Sequence, residues 1–454
     1  MLFHRFYYTP LAQACYLIAD QGDAIVVDPP RDIREILAFA EQHQLRIRWA
    51  LATHVHADFV AGFGELAHAT NACVALGAQF DGSMQCERLE HGQQIELGDT
   101  VLSVLATPGH TRESVSFFIR SPDAGTPPRL LSGDTMLMGD VGRPDLVAGG
   151  APREMAQALF QSVHEQIAPL PDDTEVWPAH GAGSACGANI SCEEFSTLGA
   201  QRIGNWALNE NDCDQFCDRL IAALRQPPPY FSYAARLNRQ GAPLVAELAS
   251  PPQLDAQSVA AKLEQGAQLV DVRPRGHHAK GSWPEAVNLG HNGNDFETWC
   301  GTLLDGNKPI LLHADSAAQA EAARQRMLCI GFDAVQGFTT ELPEQPRQHG
   351  QMEAAELFTS LQGGEALQVI DVRRPAEFEA GHIDGAIHAP LGAELAGASA
   401  LGTLDRRRPT AVICRSGYRS SAATQQLAAA GFTSLANITD GMLGWTGNHL
   451  PVKS

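Results

Sequence analysis

The chain has 454 residues, with 52 Asp and Glu against 32 Lys and Arg, and its formal net charge of -20 repels nucleic acid and anionic membrane surfaces, leaving room only for local basic pockets. Its length predicts two or three domains, which a hydrophobic content of 44% is enough to fill. The 10 cysteines are scattered through a chain that needs no disulfide staples, and no stretch approaches an uncharged membrane span.

The amino terminus, "MLFHRFYYTPLAQACYLIAD", lacks a basic start, a continuous apolar core and a small-residue cleavage pattern, so a non-secreted, cytoplasmic protein with reduced thiols is expected. Short apolar runs follow in "ACYLIAD" and "AIVVDPP", then a helical stretch from about Arg31 to Gln42, then "IRWALATH", "TVLSVLATPGH" and "SVSFFI". They predict an α/β domain over 1–245 whose polar residues sit at the carboxyl ends of buried strands. The helical stretch from about Glu193 to Leu224, followed by "PPP", reads as an appendage to it.

An internal repeat follows. "QLVDVRP" around Asp271 is echoed by "QVIDVRRP" around Asp371, "GSWPEAVNL" from Gly281 by "GHIDGAIHAPL" from Gly381, and "IGF" ending at Phe332 by "AGF" ending at Phe432, each at an offset of 100 residues. Two homologous small α/β domains with mostly parallel sheets are expected, over 255–345 and 350–454, joined by "TTELPEQPRQHGQME".

Chemistry concentrates in two places. In "THVHADFVAG" residues two apart on an extended segment share an orientation, which aligns His54 and His56 with Asp58 close by. "TPGHT" adds His110, "LSGDT" adds Asp134 and "WPAHG" adds His180, each after an apolar run and beside a turn former. Imidazole with carboxylate suits zinc, iron or manganese, and ligand type does not choose among them.

These residues resemble the metallo-β-lactamase superfamily, whose pattern HxHxDH is followed by distant His, Asp and His. The resemblance implies an α-β/β-α sandwich with metal at one edge. It assigns His54, His56, His110 and Asp134 to one metal position, and Asp58, Asp134 and His180 to a second. Phe59 stands where that second position needs a histidine, so one metal is expected. The neighbouring segments "LSGDTMLMGDVGRPDL" and "WPAHGAGSACG" resemble the persulfide dioxygenase branch. That likeness implies one Fe(II) rather than zinc, held by His54, His110 and Asp134, with His56 a ligand or a neighbour. It implies low-molecular-weight persulfide and dioxygen as substrates. Arg143 in "VGRPDL" is a candidate anion clamp, an arginine that helps hold glutathione in human-type enzymes, and Arg236 and Asn238 are weaker substrate-binding candidates.

In "VICRSGYRS" an apolar strand leads into Cys414, with Arg415 next and Arg419 five residues after the cysteine. A loop curled about the sulfur aims backbone N–H groups at it and favours thiolate and bound anionic sulfur species. The spacing is one residue shorter than the CxxxxxR of cysteine phosphatases. With "DVRRPAEFEAGHIDGAIHAPL", it resembles the rhodanese active loop, Cys414 being the sulfur acceptor. At the same offset the middle domain has Ala314 and Gln319 in place of Cys414 and Arg419. It is expected to be an inactive rhodanese-like domain that spaces, supports or helps dimerise the others, so a homo-oligomer is an open expectation.

Persulfide dioxygenase-rhodanese fusions share this order, which implies oxidation of a persulfide to sulfite and sulfur exchange between persulfide or thiosulfate and sulfite or thiol. The alternatives are a glyoxalase-II-like thioester hydrolase fused to a sulfurtransferase, and a sulfur-carrier scaffold with a structural metal.

Overall fold

A computed structural model describes residues 1–123, 125–146, 150–364, 366–392 and 395–453. The chain divides into two compact units, one of Met1–Leu248 with Leu328–Gly331 and one of Ala249–Met327 with Phe332–Ser454. Among the described residues no helix is long and apolar enough to cross a membrane.

The first unit is built on two six-stranded sheets. One runs β1 (Leu2–Tyr8), β2 (Gln13–Asp20), β3 (Asp23–Val27), β4 (Arg46–Leu51), β5 (Cys73–Gly77) and β6 (Glu87–Leu89), and is parallel from β3 onward. The other contains β7 (Gln94–Leu97), β8 (Thr100–Ala106), β9 (Val115–Arg120), β10 (Arg129–Gly133), β11 (Glu175–Pro178) and β12 (Ser196–Thr197), in the order β12-β11-β10-β9-β8-β7. Strand alternation divides the second sheet between two cores. Val115, Phe117 and Ile119 join Tyr16, Ile18, Ile25, Val27 and Leu51 of the first sheet in one core. Phe118, pointing the other way, packs with Leu130, Val176 and the helix Pro152–Gln161.

The stretch that reads as an appendage is built into this second core. Ser196–Thr197 pairs with β11, and Leu198, Ala207, Phe216, Cys217 and Leu220 are buried with the helices that cover the sheet. The helices read from the sequence are present, and each turns its one apolar face into the core.

The second unit contains the repeat as two parallel sheets. The first has the order β14-β13-β15-β16, from β13 (Gln268–Asp271), β14 (Val287–Asn288), β15 (Ile310–His313) and β16 (Val335–Thr339). The second has the order β17-β21-β20-β18-β19, from β17 (Gly350–Met352), β18 (Gln368–Asp371), β19 (Ile387–His388), β20 (Thr410–Ile413) and β21 (Leu435–Ile438). The "DVR" signature is a structural staple in both. Arg273 pairs with Asp271 and donates to the Gly281 carbonyl at 2.8 Å, and Arg373 pairs with Asp371 and donates to that of Gly381 at 2.8 Å.

Burial works to raise the Asp271 pKa, but hydrogen bonds from His278, His313 and Arg273 outweigh it and hold the carboxyl far below its usual range. A depressed carboxyl contributes its stability in full above the unfolded value of about 3.9, and loses it as pH falls toward the folded value. Arg273→Ala is therefore expected to destabilise the second unit by about 3–5 kcal/mol in urea unfolding at pH 7. The deficit relative to wild type should shrink as pH falls below about 5.

Candidate functional site

The polar cluster of the first unit gathers where strands end on one edge of the sandwich. Asp28 follows β3, Thr53 to Asp58 follow β4, His110 follows β8, Asp134 follows β10 and His180 follows β11. Two glycines permit the approach. Gly133 has φ +55, and a Cβ there would meet the Thr53 side chain at 2.7 Å; one on Gly142 would meet the Asp134 carbonyl at 2.2 Å and His110 Nδ1 at 2.9 Å. Asp28 takes a left-handed φ of 54 while both its carboxylate oxygens accept from Thr53, N–H to Oδ1 at 2.8 Å and Oγ1 to Oδ2 at 2.7 Å.

That last bond sets the protonation of His54. With its proton committed to Asp28, the Thr53 hydroxyl is an acceptor for His54 Nδ1 at 2.9 Å, so the His54 proton is on Nδ1 and the lone pair on Nε2. His110 Nδ1 lies 2.8 Å from the Arg143 carbonyl, which only accepts, so its lone pair is also on Nε2. Both Nε2 atoms face Asp134 Oδ2, at 3.8 Å from His54 and 3.4 Å from His110. His54 Nε2 and Asp134 Oδ2 are buried without a hydrogen-bond partner. Three electron-pair donors aimed at one point, two of them buried without a partner, fit a cation.

The electrostatics agree. Burial lowers the His54 and His110 pKa values, keeping both rings neutral. Burial works against ionised Asp134, but His180, His110 and His54 outweigh it and keep the carboxyl low. His180 Nδ1 is 2.7 Å from Asp134 and its Nε2 is 2.8 Å from Asp58. Burial opposes a charged ring there, yet the two carboxylates raise its pKa well above the ordinary value. Gripped on both nitrogens, His180 presents no lone pair to the point between His54 and His110.

His56 and Asp58 belong to a second grouping with His180, whose ligand atoms also lie within 4.8 Å of one another. His56 Nε2 is 3.0 Å from Asp28 Oδ1. The Phe59 ring, 2% exposed, packs on the His56 ring at a centroid distance of 4.3 Å. An apolar wall thus borders this second grouping.

Asn238 holds the loop in place. Its Nδ2 donates to the His56 and Phe59 carbonyls, both at 2.8 Å, and its Oδ1 accepts from the Ala61 N–H at 2.8 Å. The Arg143 guanidinium pairs with Asp145 through two bonds of 2.7 and 2.8 Å and donates to the Ala185 and Arg225 carbonyls. An incoming anion would have to displace Asp145. Arg236 is exposed, over the Tyr233 ring and bonded to Gln240.

Four contributors escaped the sequence reading. Asp28 and Thr53 set the His54 tautomer, and Glu113 accepts from the Val55 N–H at 3.0 Å. Cys186 Sγ groups with ligand atoms of Asp134 and His180 within 4.8 Å, its thiol pushed up by burial. Only Asp28 carried a signal, a carboxylate directly after the apolar run "AIVV" as in "LSGDT".

In the second unit, Cys414 follows β20 and its buried Sγ accepts from the Gly417 N–H at 3.2 Å and the Ser420 hydroxyl at 3.3 Å. Gly417 has φ +82, and a Cβ there would meet the Thr439 carbonyl at 2.3 Å. Arg419 makes two bonds to Glu377, of 2.6 and 2.7 Å. Burial raises the Glu377 pKa, but the hydrogen bonds and charge of Arg419 prevail and bring it to about 2. The Arg415 side chain is exposed. In the middle domain Ala314 is buried and the Gln319 side chain accepts from the Asp315 N–H at 2.6 Å, closing the corresponding loop on itself.

Comparison with known proteins agrees with this geometry. The metallo-beta-lactamase superfamily matches residues 8–84, and the rhodanese-like domain family matches 255–339 and 354–448. A solved metallo-beta-lactamase structure from Staphylococcus aureus is 32% identical, covers 76% of this chain and 99% of its own, and superposes with a TM-score of 0.66. The chain belongs to the metallo-beta-lactamase superfamily. Its superfamily domain is fused to two tandem rhodanese-like domains. Human mitochondrial persulfide dioxygenase ETHE1 is 32% identical over 172 residues, 36% of this chain and 62% of that protein. Hydroxyacylglutathione hydrolase of Hahella chejuensis is 35% identical over 164 residues, 36% of this chain and 58% of that protein. The chain thus spans under two thirds of either relative.

Asn238→Ala leaves two carbonyls and an N–H of the metal loop without partners. It is expected to weaken metal retention about 10–100-fold, measured by chelator competition on the metal-loaded protein.

Proposed function

We propose that the first unit oxidises a low-molecular-weight persulfide, of the glutathione persulfide type, and that the last domain moves sulfane sulfur through Cys414. The observation that carries the reading is the donor set itself: two neutral imidazole nitrogens and one carboxylate oxygen at a single point, with Phe59 as an apolar neighbour. His54, His110 and Asp134 would hold one Fe(II), and such a ligand set leaves coordination positions open to dioxygen and sulfur together with the redox chemistry that joins them.

The chain's residues supply the rest. Asp28 and Thr53 hold the His54 ring in its ligand tautomer, and the Arg143 carbonyl does so for His110. Asp58 holds His180 from its far nitrogen, and the charged His180 ring keeps Asp134 ionised. The overall reaction balances as persulfide, dioxygen and water giving free thiol, sulfite and two protons, the outer sulfur losing the four electrons that dioxygen gains.

At the second centre, Cys414 thiolate attacks the outer sulfur of thiosulfate or a persulfide. The S–S bond breaks, sulfite or thiol leaves with the electron pair, and the new persulfide passes its sulfur to the next thiolate or sulfite. The Gly417 N–H stabilises sulfur charge, and Arg419 attracts the anionic partner.

Thioester hydrolysis is the second reading, favoured by the His56, Asp58 and His180 grouping and by the similarity to a hydroxyacylglutathione hydrolase. Metal analysis with oxygen uptake separates the two. Iron-loaded protein should consume oxygen only when persulfide is added, and His54→Ala should lower that rate by at least about 100-fold. Tightly held zinc, with glutathione thioester cleaved and no oxygen uptake after iron reconstitution, would overturn the dioxygenase reading. Cys414→Ser should abolish sulfur transfer from thiosulfate and leave oxygen uptake within about twofold of wild type.

A further inference from the structure

The middle domain lacks a nucleophile, yet it touches the loop that has one. Tyr418, the residue before Arg419, donates its hydroxyl to the Gly290 carbonyl at 3.1 Å. Ser421 donates to Asn288 Oδ1 at 2.6 Å, while Asn288 Nδ2 is bonded to the Asp271 and Arg273 carbonyls at 3.0 Å each. The Arg419 guanidinium lies 5.9 Å from the Trp299 ring centroid, within the range of a cation-π contact.

The segment making these contacts is itself braced. Trp299 is on the helix Phe296–Leu303 and is 6% exposed. Glu297 of that helix, fully buried, takes two bonds from Arg326, of 2.5 and 2.6 Å. Arg326 also donates to the His291 carbonyl and, at 3.0 Å, to that of Gly293. None of this follows from the repeat. At the 100-residue offset Trp299, Glu297 and Arg326 fall on Ser399, Gly397 and Gln426, and Tyr418 falls on Ala318. A fully buried carboxylate paired with an arginine, bracing a segment that contacts the start of the Arg419 helix at three points, is more than a spacer requires.

We propose that the middle domain is a working part of the Cys414 site, and that Trp299 is a positioning residue that holds Arg419 where an anionic sulfur donor meets the thiol. Glu377 fixes two nitrogens of the guanidinium from one side and the indole limits its movement on another. Tyr418 and Ser421 anchor the helix start on which Arg419 stands. The domain with Ala314 where its neighbour has Cys414 thus acts through the cation of that neighbour. This rests on the sulfurtransferase reading above, and the test separates the two.

Two measurements on the full chain decide it. The first is steady-state transfer from thiosulfate to cyanide; the second is the ratio of Cys414 alkylation rates by anionic iodoacetate and neutral iodoacetamide. Trp299→Ala is expected to raise the thiosulfate KM about tenfold with kcat within about twofold, and to lower the alkylation ratio about threefold or more. Trp299→Phe, which keeps an aromatic face, should restore most of both. Tyr418→Phe removes a single hydroxyl and should move both in the same direction by a smaller factor, which serves should Trp299→Ala not fold. A folded Trp299→Ala protein with unchanged KM and unchanged alkylation ratio would overturn the positioning role. Wild-type protein that transfers no sulfur would overturn the sulfurtransferase reading alone, since the alkylation ratio still reports on Arg419.

Discussion

Asp134 is fully buried and ionised, and the first site is organised around making that tolerable. A carboxylate taken out of water needs charge or hydrogen bonds from every side. His180 supplies a proton donor on Oδ1, while Oδ2 is left facing two imidazole nitrogens that carry lone pairs instead. The arrangement is stable with a cation at that point and frustrated without one. Such a centre can exist only where five strand ends converge, which is why the edge of the two-sheet sandwich is its location.

Control of a reactive side chain through its neighbours recurs at both centres. Thr53 has one hydroxyl proton, and by giving it to Asp28 the chain decides which His54 nitrogen keeps its lone pair. Arg419 has its charge set by chemistry, but its place depends on Glu377, Trp299 and the anchored helix start. In each case a side chain of modest chemistry fixes the orientation or protonation of a reactive one.

The repeat shows how one scaffold serves two purposes. The Asp-Arg-carbonyl staple is the same in both copies because it closes the same strand-to-helix turn. What differs is the loop after the matching strands β15 and β20: the one after β20 folds around a thiol and the one after β15 around a glutamine. The middle copy carries no cysteine in that loop, while Arg326 and Glu297 brace another of its segments.

Residue types and their spacing were enough to pick out the residues that cluster as His54, His110 and Asp134, the cysteine-arginine loop, the α/β class and the repeat. Each rests on a local pattern: a strand end followed by a turn, a short loop with cysteine and arginine, a constant offset. The parts of the site that come from long-range approach were not legible. Asp28 reached His54 only through Thr53, Cys186 looked like any of ten cysteines, and Asn238 binds backbone 177 to 182 residues away. Arg143 carried the right charge for an anion clamp, yet its pairing with Asp145 exists only once the loop is folded. Sequence by itself determined which donors the chain owns, because ligand chemistry belongs to side-chain type. Only the tertiary structure decided which nitrogen carries a proton and which cation is already paired, because those depend on a partner's distance and direction.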